Sequence, residues 1–551
     1  MVLLLVSVGP ALWSQDLSGR LAGEHLQACS DRTLYVSGER IFFSVFGSNG
    51  NPEAISRIFY CELITPDGNR IAGGKYLLEN AAGHGSLLVP EDATTGIYYL
   101  KFYTRAMRNG STDAYTYILL KIVNPYRTDV LQGKDAFDSS GLAAKNGMMN
   151  GGGLPVTILS DKKSYSERET IRLNLQSDTT KGMPGLLCLS VIPGTAYTEW
   201  VIPHKNNAGN DKPGAYLPET RGVSLSGQVT AKGSGVLLPG CRVNLSIIGD
   251  KDIQVKRADA SGRFIFALPD YHGKRDIFLC AGEQPGVTPE ILIDNDFCSR
   301  PVSLPSPRFG LNERELKTAY KLAVNFRLTT LFREDSVSSD TSSEENHVSF
   351  YGKPSKVLAL DKYIELPTLG DYFSELAALV KVKKIDGKRH FRFYTTETEA
   401  PIDVDPLMLV DWVAVDDINK ILALSPQEID RIELVNAPYV KGGITFGGII
   451  SFVSKKYDFA GIDLPASGTF VNYSFLEPRS EFQQPGPLPD NTPDSRNTLI
   501  WNPALQLSNQ GSATVTFPAP DTPGTYTILL RGMNEKGETV MTTEVFEVTG
   551  K

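Results

Sequence analysis

Any chemistry in this chain must come from few groups. The six histidines, His25, His84, His204, His272, His347 and His390, are scattered, and none lies four residues from another. The helical zinc pattern H-E-x-x-H is therefore absent, as are G-x-S-x-G and the phosphate-binding loop. A Ser-His-Asp triad needs no proximity in sequence. Each isolated His nevertheless reads more simply as a surface or turn residue. Asp403, Asp405, Asp411, Asp416 and Asp417 gather in sequence and are the best calcium candidates. They lack the D-x-[DN]-x-[DN]-G spacing of a calcium loop and read as solvated acidic turns. The cysteines are Cys29, Cys61, Cys188, Cys241, Cys280 and Cys298, with no C-x-x-C among them, so neither a zinc ribbon nor a redox motif is indicated. Cys61, Cys188 and Cys280 sit in apolar, strand-like text and read as buried free thiols. Cys280 with Cys298 is a candidate bridge in an oxidising compartment, which spacing alone does not decide. No catalytic residue, metal or cofactor is expected, and the chain is read as no enzyme.

The elements that position these groups are short strands. A length of 551 residues gives three to four domains at about 150 residues each. Hydrophobic residues at 41% and charged residues at 21% are those of a globular protein. A net charge of −8 disfavours a nucleic-acid binder. Residues 1–13, MVLLLVSVGPALW, are too short to span a bilayer, which takes about 20 apolar residues. They fit the apolar core of a signal peptide over 1–15, although no Lys or Arg precedes them. No later run of 18 apolar residues exists, so no transmembrane segment is expected. Two echoes run through the chain. Asp31, Tyr35 and Glu39 recur as Asp161, Tyr165 and Glu169, each set leading into an alternating strand. The text from Gly85 to Leu100 recurs from Gly511 to Leu529 as strand, Pro-acidic turn, Gly and Tyr-bearing strand. Such strands between Gly/Pro turns predict β-sandwiches.

The Tyr35-Val36-Ser37-Gly38-Glu39 opening and the later Thr95-Gly96-Ile97-Tyr98 strand resemble the macroglobulin-type domains of alpha-macroglobulins and their bacterial relatives. Leu225-Ser226-Gly227-Gln228-Val229, Leu238-Pro239-Gly240 and Asp259-Ala260-Ser261-Gly262-Arg263-Phe264 resemble the carboxypeptidase regulatory-like domain, a small transthyretin-like sandwich without peptidase chemistry. Pro406-Leu407-Met408-Leu409-Val410-Asp411, Ile429-Asp430-Arg431-Ile432-Glu433 and Gly447-Gly448-Ile449-Ile450 through Lys455-Lys456 are similar to the plug domain of TonB-dependent outer-membrane receptors, in the same order. The match departs at Trp412, where that family usually has Gly after Asp. Only 95 residues follow Lys456, too few for the receptor barrel, whose strands need about 9–11 residues each. Alpha-macroglobulins also carry a thioester in C-G-E-Q. Cys280-Ala281-Gly282-Glu283-Gln284 has one residue too many and lies in the regulatory-like stretch, so it is read as coincidence.

The expected fold class is mainly β, with several immunoglobulin-like or macroglobulin-type β-sandwiches and one small α+β plug-like domain. The expected boundaries are 16–125 for a macroglobulin-like sandwich, 126–220 for a linker and a second macroglobulin-like region, and 221–300 for the regulatory-like sandwich. A helix capped by Asn312 and an acidic linker fill 301–347, the plug-like domain 348–457, and a C-terminal macroglobulin-like sandwich 458–551. Arg431 and Glu433 alternate with Ile432 and Leu434 and are the candidate partner-binding residues on a polar strand face. Gly447 and Gly448 are read as structural, permitting a tight turn. The resemblances imply a non-catalytic cell-envelope scaffold of a Gram-negative bacterium, periplasmic or associated with the outer membrane, beside nutrient uptake. Its partner is expected to be an envelope or outer-membrane protein. A macroglobulin-like protease-interacting protein or an envelope hydrolase is the alternative. Export predicts a mature chain beginning between Leu12 and Leu17. N-terminal sequencing of the exported protein checks this, and an intact Met1 in a cytoplasmic fraction contradicts it.

Overall fold

The computed structural model describes residues 24–48, 56–131, 142–144, 156–178, 186–202, 216–302, 304–332, 348–377, 379–394, 400–478, 482, 492–533 and 539–550. The expected signal segment and the acidic linker at 333–346 lie outside the described residues. The chain is mainly β and divides into two compact units. One holds 1–223, 297–338 and 476–551; the other holds 224–296 and 339–475. No helix among the described residues is long and apolar enough to cross a membrane.

The first unit opens with a sandwich. Its three-stranded sheet, His25–Ser30, Arg40–Ser48 and Ala82–Leu88, faces a five-stranded sheet ordered Leu34–Val36, Thr116–Val123, Gly96–Thr104, Ile58–Ile64 and Arg70–Leu77. Phe43 packs edge-on against Phe59, Tyr76 and Phe102 between them. Alternation predicts a solvated outer face, yet Ile58–Ile64 and Gly96–Thr104 are buried throughout. Other chain covers that outer face. The Lys101 ammonium pairs with Glu62 at 2.7 Å, and the Tyr103 hydroxyl donates to the same carboxylate. Cys298 donates its N–H to the Tyr103 hydroxyl, Tyr60 donates to Glu219, and Val302 and Leu304 close the apolar part. Burying charge is tolerable only where it is paired in this way.

The second sandwich repeats the first strand for strand. Val156–Ser160, Thr170–Ser177 and Ser512–Pro518 form its three-stranded sheet. Ser164–Ser166, Thr539–Thr549, Gly524–Met533, Leu186–Pro193 and Ile500–Leu505 form the five-stranded one, in that order. In both sandwiches the short second strand pairs in parallel with the last. One core, from Val156 and Leu173 to Leu530 and Phe546, joins the two ends of the chain. Residues expected as separate domains, in 126–220 and 458–551, thus supply strands to one sandwich. The long stretch between Pro193 and Ile500 enters and leaves between neighbouring strands. The physical reason is edge pairing: Leu186–Pro193 finds both its ladder partners only after that stretch.

The two echoes are the two halves of this duplication. Asp31 Oδ1 accepts the Tyr35 hydroxyl at 2.6 Å and the Phe42 N–H at 2.9 Å. Asp161 Oδ1 accepts the Tyr165 hydroxyl at 2.6 Å and the Arg172 N–H at 3.1 Å. Glu39 and Glu169 each accept the backbone N–H three residues back, at 2.7 and 2.8 Å. Tyr98 and Tyr526 each donate to the carbonyl four residues back, both at 2.8 Å. Gly38 has φ +87°, a region that favours glycine, and Arg168 holds the matching turn at φ +60°. The helix runs Glu313–Phe332, and Asn312 Oδ1 accepts the Glu315 N–H while Glu315 accepts that of Asn312, a reciprocal cap. Its packed stripe is Ala319 and Leu322, with the partly buried Ala323 and Phe326, on Leu34 and Val36, whereas Leu316 and Tyr320, at helical spacing from Ala319 and Ala323, are exposed.

In the second unit, Arg263–Ala267, Ser224–Ala231 and Pro289–Ile293 form one sheet of a third sandwich. The other is Ile253–Arg257, Arg242–Ile247, Lys274–Ala281 and Thr469–Ser474. The last of these strands, expected in the C-terminal sandwich, pairs with Lys274–Ala281 from Lys274↔Ser474 to Leu279↔Thr469. Between them the chain builds a five-stranded mixed sheet: Lys356–Ala359, Ile429–Val435, Ile449–Ser454, Leu407–Val410 and Val413–Ala414.

The duplicated carboxylates predict unequal costs. Asp31 is fully buried, accepts the Thr498 hydroxyl as well, and sits beside Arg32. Asp31→Ala is expected to lower stability by about 3 kcal/mol because buried partners lose their acceptor. Asp161 is exposed, and Asp161→Ala is expected to cost about 0.5 kcal/mol, since solvent replaces much of what is lost. Urea midpoints of the two variants check the ratio.

Candidate functional site

The mixed sheet of the second unit has two buried faces. On one, Ile432, Leu434, Ile450, Phe452 and Val410 pack with Tyr372 and Phe373 of the helix Leu369–Glu375 and with Ile418 and Ile421 of the helix Ile418–Leu422. On the other, Leu407, Leu409, Ile449 and Val453 pack with Ile253, Val255, Phe278 and Cys280 of the third sandwich. Strand alternation assigns each residue to its face. Thr368 caps the first helix with a reciprocal bond to Asp371, and Asp417 caps the second.

Arg431 and Glu433 do share a strand face. Arg431 Nε donates to Glu433 at 2.7 Å and its Nη1 to Asp430 at 2.8 Å. Glu433 is 7% exposed and also accepts the Tyr351 hydroxyl at 2.7 Å. The pair is an ion pair within one strand, and Arg431 alone keeps a partly open edge. At Gly448 φ is +138°, and an added Cβ would stand 2.5 Å from the Phe393 ring. At Gly447 it would meet the Val404 carbonyl oxygen. The Leu407 N–H donates to the Gly448 carbonyl at 2.9 Å, so this glycine pair sets the start of the parallel ladder.

The five clustered aspartates do not converge. Asp405 pairs with Arg392 and His390; partial burial raises its pKa, but the bonds from Arg392 and His390 outweigh this and hold it below the usual range. Asp416 pairs with Arg242, and Asp417 is the helix cap. Asp411 is a node: it accepts the Ser454 N–H at 2.8 Å, the Ser454 hydroxyl at 2.6 Å and the Phe459 N–H at 2.9 Å. Asp411 and Trp412 turn the chain at φ +47° and +63°. Trp412 occupies a conformation that favours glycine, and its indole stacks on Tyr457 at 6.3 Å. Packing there offsets a backbone cost of order 1–3 kcal/mol. A cleft of about 240 Å³ lined by Leu245, Ile247, Tyr271 and Phe350 also lies in this unit. Its acids are already engaged, Asp250 by Tyr271 and Asp252 by Lys441.

The open feature is the hairpin Val380–Ile385 and Lys388–Phe393, closed by Asp386 and Gly387 at φ +48° and +81° as a two-residue turn. Lys381, Lys383, Lys384, Lys388 and Arg389 are all exposed on it. The register sets Lys381 opposite Arg392, Lys383 opposite His390 and Lys384 opposite Arg389. Lys381 and Lys383 both lie over the Tyr394 ring, at 5.1 and 5.2 Å. The sequence displayed these cations; the cross-strand register that concentrates them came only with the fold. Its signal was the Asp-Gly turn.

No family model matches the chain, and no curated protein matches it. Among solved structures it is similar to Salmonella alpha-2-macroglobulin reacted with methylamine, at 9% identity over 96% of this chain and 40% of that one, TM-score 0.24. It is similar to trypsin-activated Escherichia coli alpha-2-macroglobulin at 10% identity over 96% and 41%, TM-score 0.23. It is also similar to the native E. coli protein seen by cryo-electron microscopy, at 9% identity over 96% and 40%, TM-score 0.24. The chain spans about two fifths of the length of these structures. At such TM-scores the likeness carries no argument about function.

Gly448→Val is expected to cost more than about 3 kcal/mol through backbone conformation and the Phe393 clash together, and to abolish the calorimetric transition of the second unit. Arg431→Ala is expected to cost about 1 kcal/mol, the scale of a partly exposed pair, and to leave that transition in place. Scanning calorimetry of the full chain checks both.

Proposed function

We propose that the chain is a non-catalytic scaffold of the Gram-negative cell envelope, in which the sandwiches hold the 348–457 module toward an acidic protein partner at the outer membrane, beside nutrient uptake. The basic hairpin carries this reading. Residues 380–393 hold six Lys and Arg against one acid, 6 − 1 = +5, in a chain of net −8. Exposed strand edges often carry Lys to prevent edge-to-edge aggregation. That need is met by any charge, whereas like charges placed opposite each other destabilise a strand pair. Two such pairs in one hairpin, Lys381 with Arg392 and Lys384 with Arg389, favour a surface selected for an anionic counterpart. Both faces of the neighbouring sheet are packed, which leaves the hairpin as the module's basic projection. The plug resemblance supports the outer-membrane setting, and the apolar N-terminal run supports export.

The test replaces Lys381, Lys383 and Lys388 with Glu in the full chain. A control reverses the exposed Lys232, Lys256 and Lys274. Cross-linking to solubilised outer-membrane proteins, read by mass spectrometry, is expected to lose its partner at least tenfold in the hairpin variant alone. The loss is expected to be mimicked by raised salt, since exposed charges are screened. Equal capture by both variants, with unchanged circular dichroism, overturns the reading.

A further inference from the structure

Cys29 lies on the strand His25–Ser30 of the first sandwich and Cys188 on Leu186–Pro193 of the second, within one compact unit. Both side chains are buried, packed with Phe46 and Trp501. Their sulfurs are 2.6 Å apart. Non-bonded heavy atoms pack at about 3.5–4.0 Å, and a covalent S–S bond is about 2.05 Å. The other hydrogen-bonded sulfurs have partners of other kinds. Cys298 Sγ meets the Tyr115 hydroxyl, Cys280 Sγ the Ala414 carbonyl, and Cys241 Sγ the Arg242 carbonyl. The arrangement is thus specific to one pair of the six.

We propose that Cys29 and Cys188 close a disulfide that staples the first sandwich to its duplicate. The surroundings fit that step. Arg531 is 2% exposed, donates to the Ser30 carbonyl at 2.6 Å and to the Ser190 hydroxyl at 3.0 Å, and pairs with no carboxylate among the described residues. It therefore stands between the two cysteine strands as a fixed positive charge. Burial raises the pKa of Cys29, but the bond from Cys188 and the Arg531 charge outweigh it and lower it, while burial and the Cys29 charge push Cys188 well up. The thiolate is the attacking species in thiol–disulfide exchange.

The oxidant is a disulfide donor, either an oxidised dithiol protein or glutathione disulfide. The Cys29 thiolate attacks the donor's S–S bond, forming a mixed disulfide and releasing one donor thiolate. Cys188 then loses its proton and its sulfur displaces the second donor thiolate. The pair gives up two protons and two electrons, and the donor becomes two thiols. The reaction belongs to folding, before docking closes the site. In the cell it needs the oxidising compartment that the proposed envelope location supplies, but the bond itself is a property of the chain.

The test therefore uses purified full-length protein, refolded with glutathione disulfide, alkylated in denaturant without reductant, and digested. The expected result is one linked peptide joining Cys29 to Cys188, two hydrogen masses below its parts, with the other four cysteines alkylated. Because the cross-link spans 159 positions, reduction is expected to lower the melting temperature by about 5–10 °C. Cys188→Ser and Cys29→Ala are each expected to melt like the reduced protein and to ignore reductant. Alkylation of both Cys29 and Cys188 in the oxidised sample overturns the proposal, as does a melting temperature that reduction leaves unchanged. Neither outcome touches the envelope reading, which stands or falls on the hairpin.

Discussion

The structure depends on one ladder. Leu186–Pro193 pairs with Gly524–Met533 from Leu186↔Met533 to Pro193↔Tyr526, although Ser190 and Arg531 are 341 residues apart in sequence. A strand without this partner would expose its amides and a face of Leu187, Leu189 and Val191 that is now buried. The second sandwich therefore closes only when the chain returns. Closure fixes both ends of everything between. Such a contact is slow to form because a long loop must close before any contact rewards it.

The buried polar groups reinforce that closure. Glu39 of the first sandwich accepts from Arg32 at 2.7 Å and from Asn497 at 2.6 Å, and Asp31 accepts from Thr498. The returning chain thus adds a further donor to each of two carboxylates that the first sandwich already bonds through Arg32, Tyr35 and backbone N–H groups. A buried carboxylate lacking donors is costly. The duplicated Asp161 and Glu169 have no such visitor in their bonds and sit at the surface. The same motif is a junction in one copy and a local turn in the other. The second unit follows a related rule on a smaller scale: Thr469–Ser474 returns to complete the third sandwich after the mixed sheet is built.

Much of this was legible in the residues. Asp31/Tyr35/Glu39 and Asp161/Tyr165/Glu169 announced a repeated strand opening, and Asn312 with Glu315 announced the helix start. The three motifs at 406–411, 429–433 and 447–450 marked stretches that fold as three adjacent strands of one sheet. What the text hid was pairing. The 85–100 and 511–529 echoes were visible, but strand sequence carries no label for its partner, so two halves of one sandwich read as two domains. Helical periodicity likewise allowed more than one apolar stripe, and tertiary contact with Leu34 and Val36 selected Ala319 and Leu322 over Leu316 and Tyr320. Glu433 looked like a polar-face residue, and it is buried where it accepts the Tyr351 hydroxyl, a partner that local alternation does not encode. Cys29 and Cys188 were the least legible, since nothing in their spacing joins them.

The most direct measurement of the split sandwich is native-state hydrogen exchange on the full chain in rising denaturant, resolved to peptides. The account predicts that amides of Leu186–Pro193 and of Gly524–Met533 lose protection together, with one opening free energy and one denaturant dependence. Protection retained in Leu186–Pro193 after Gly524–Met533 has opened would contradict it, because the first strand would then hold a partner other than the returning chain.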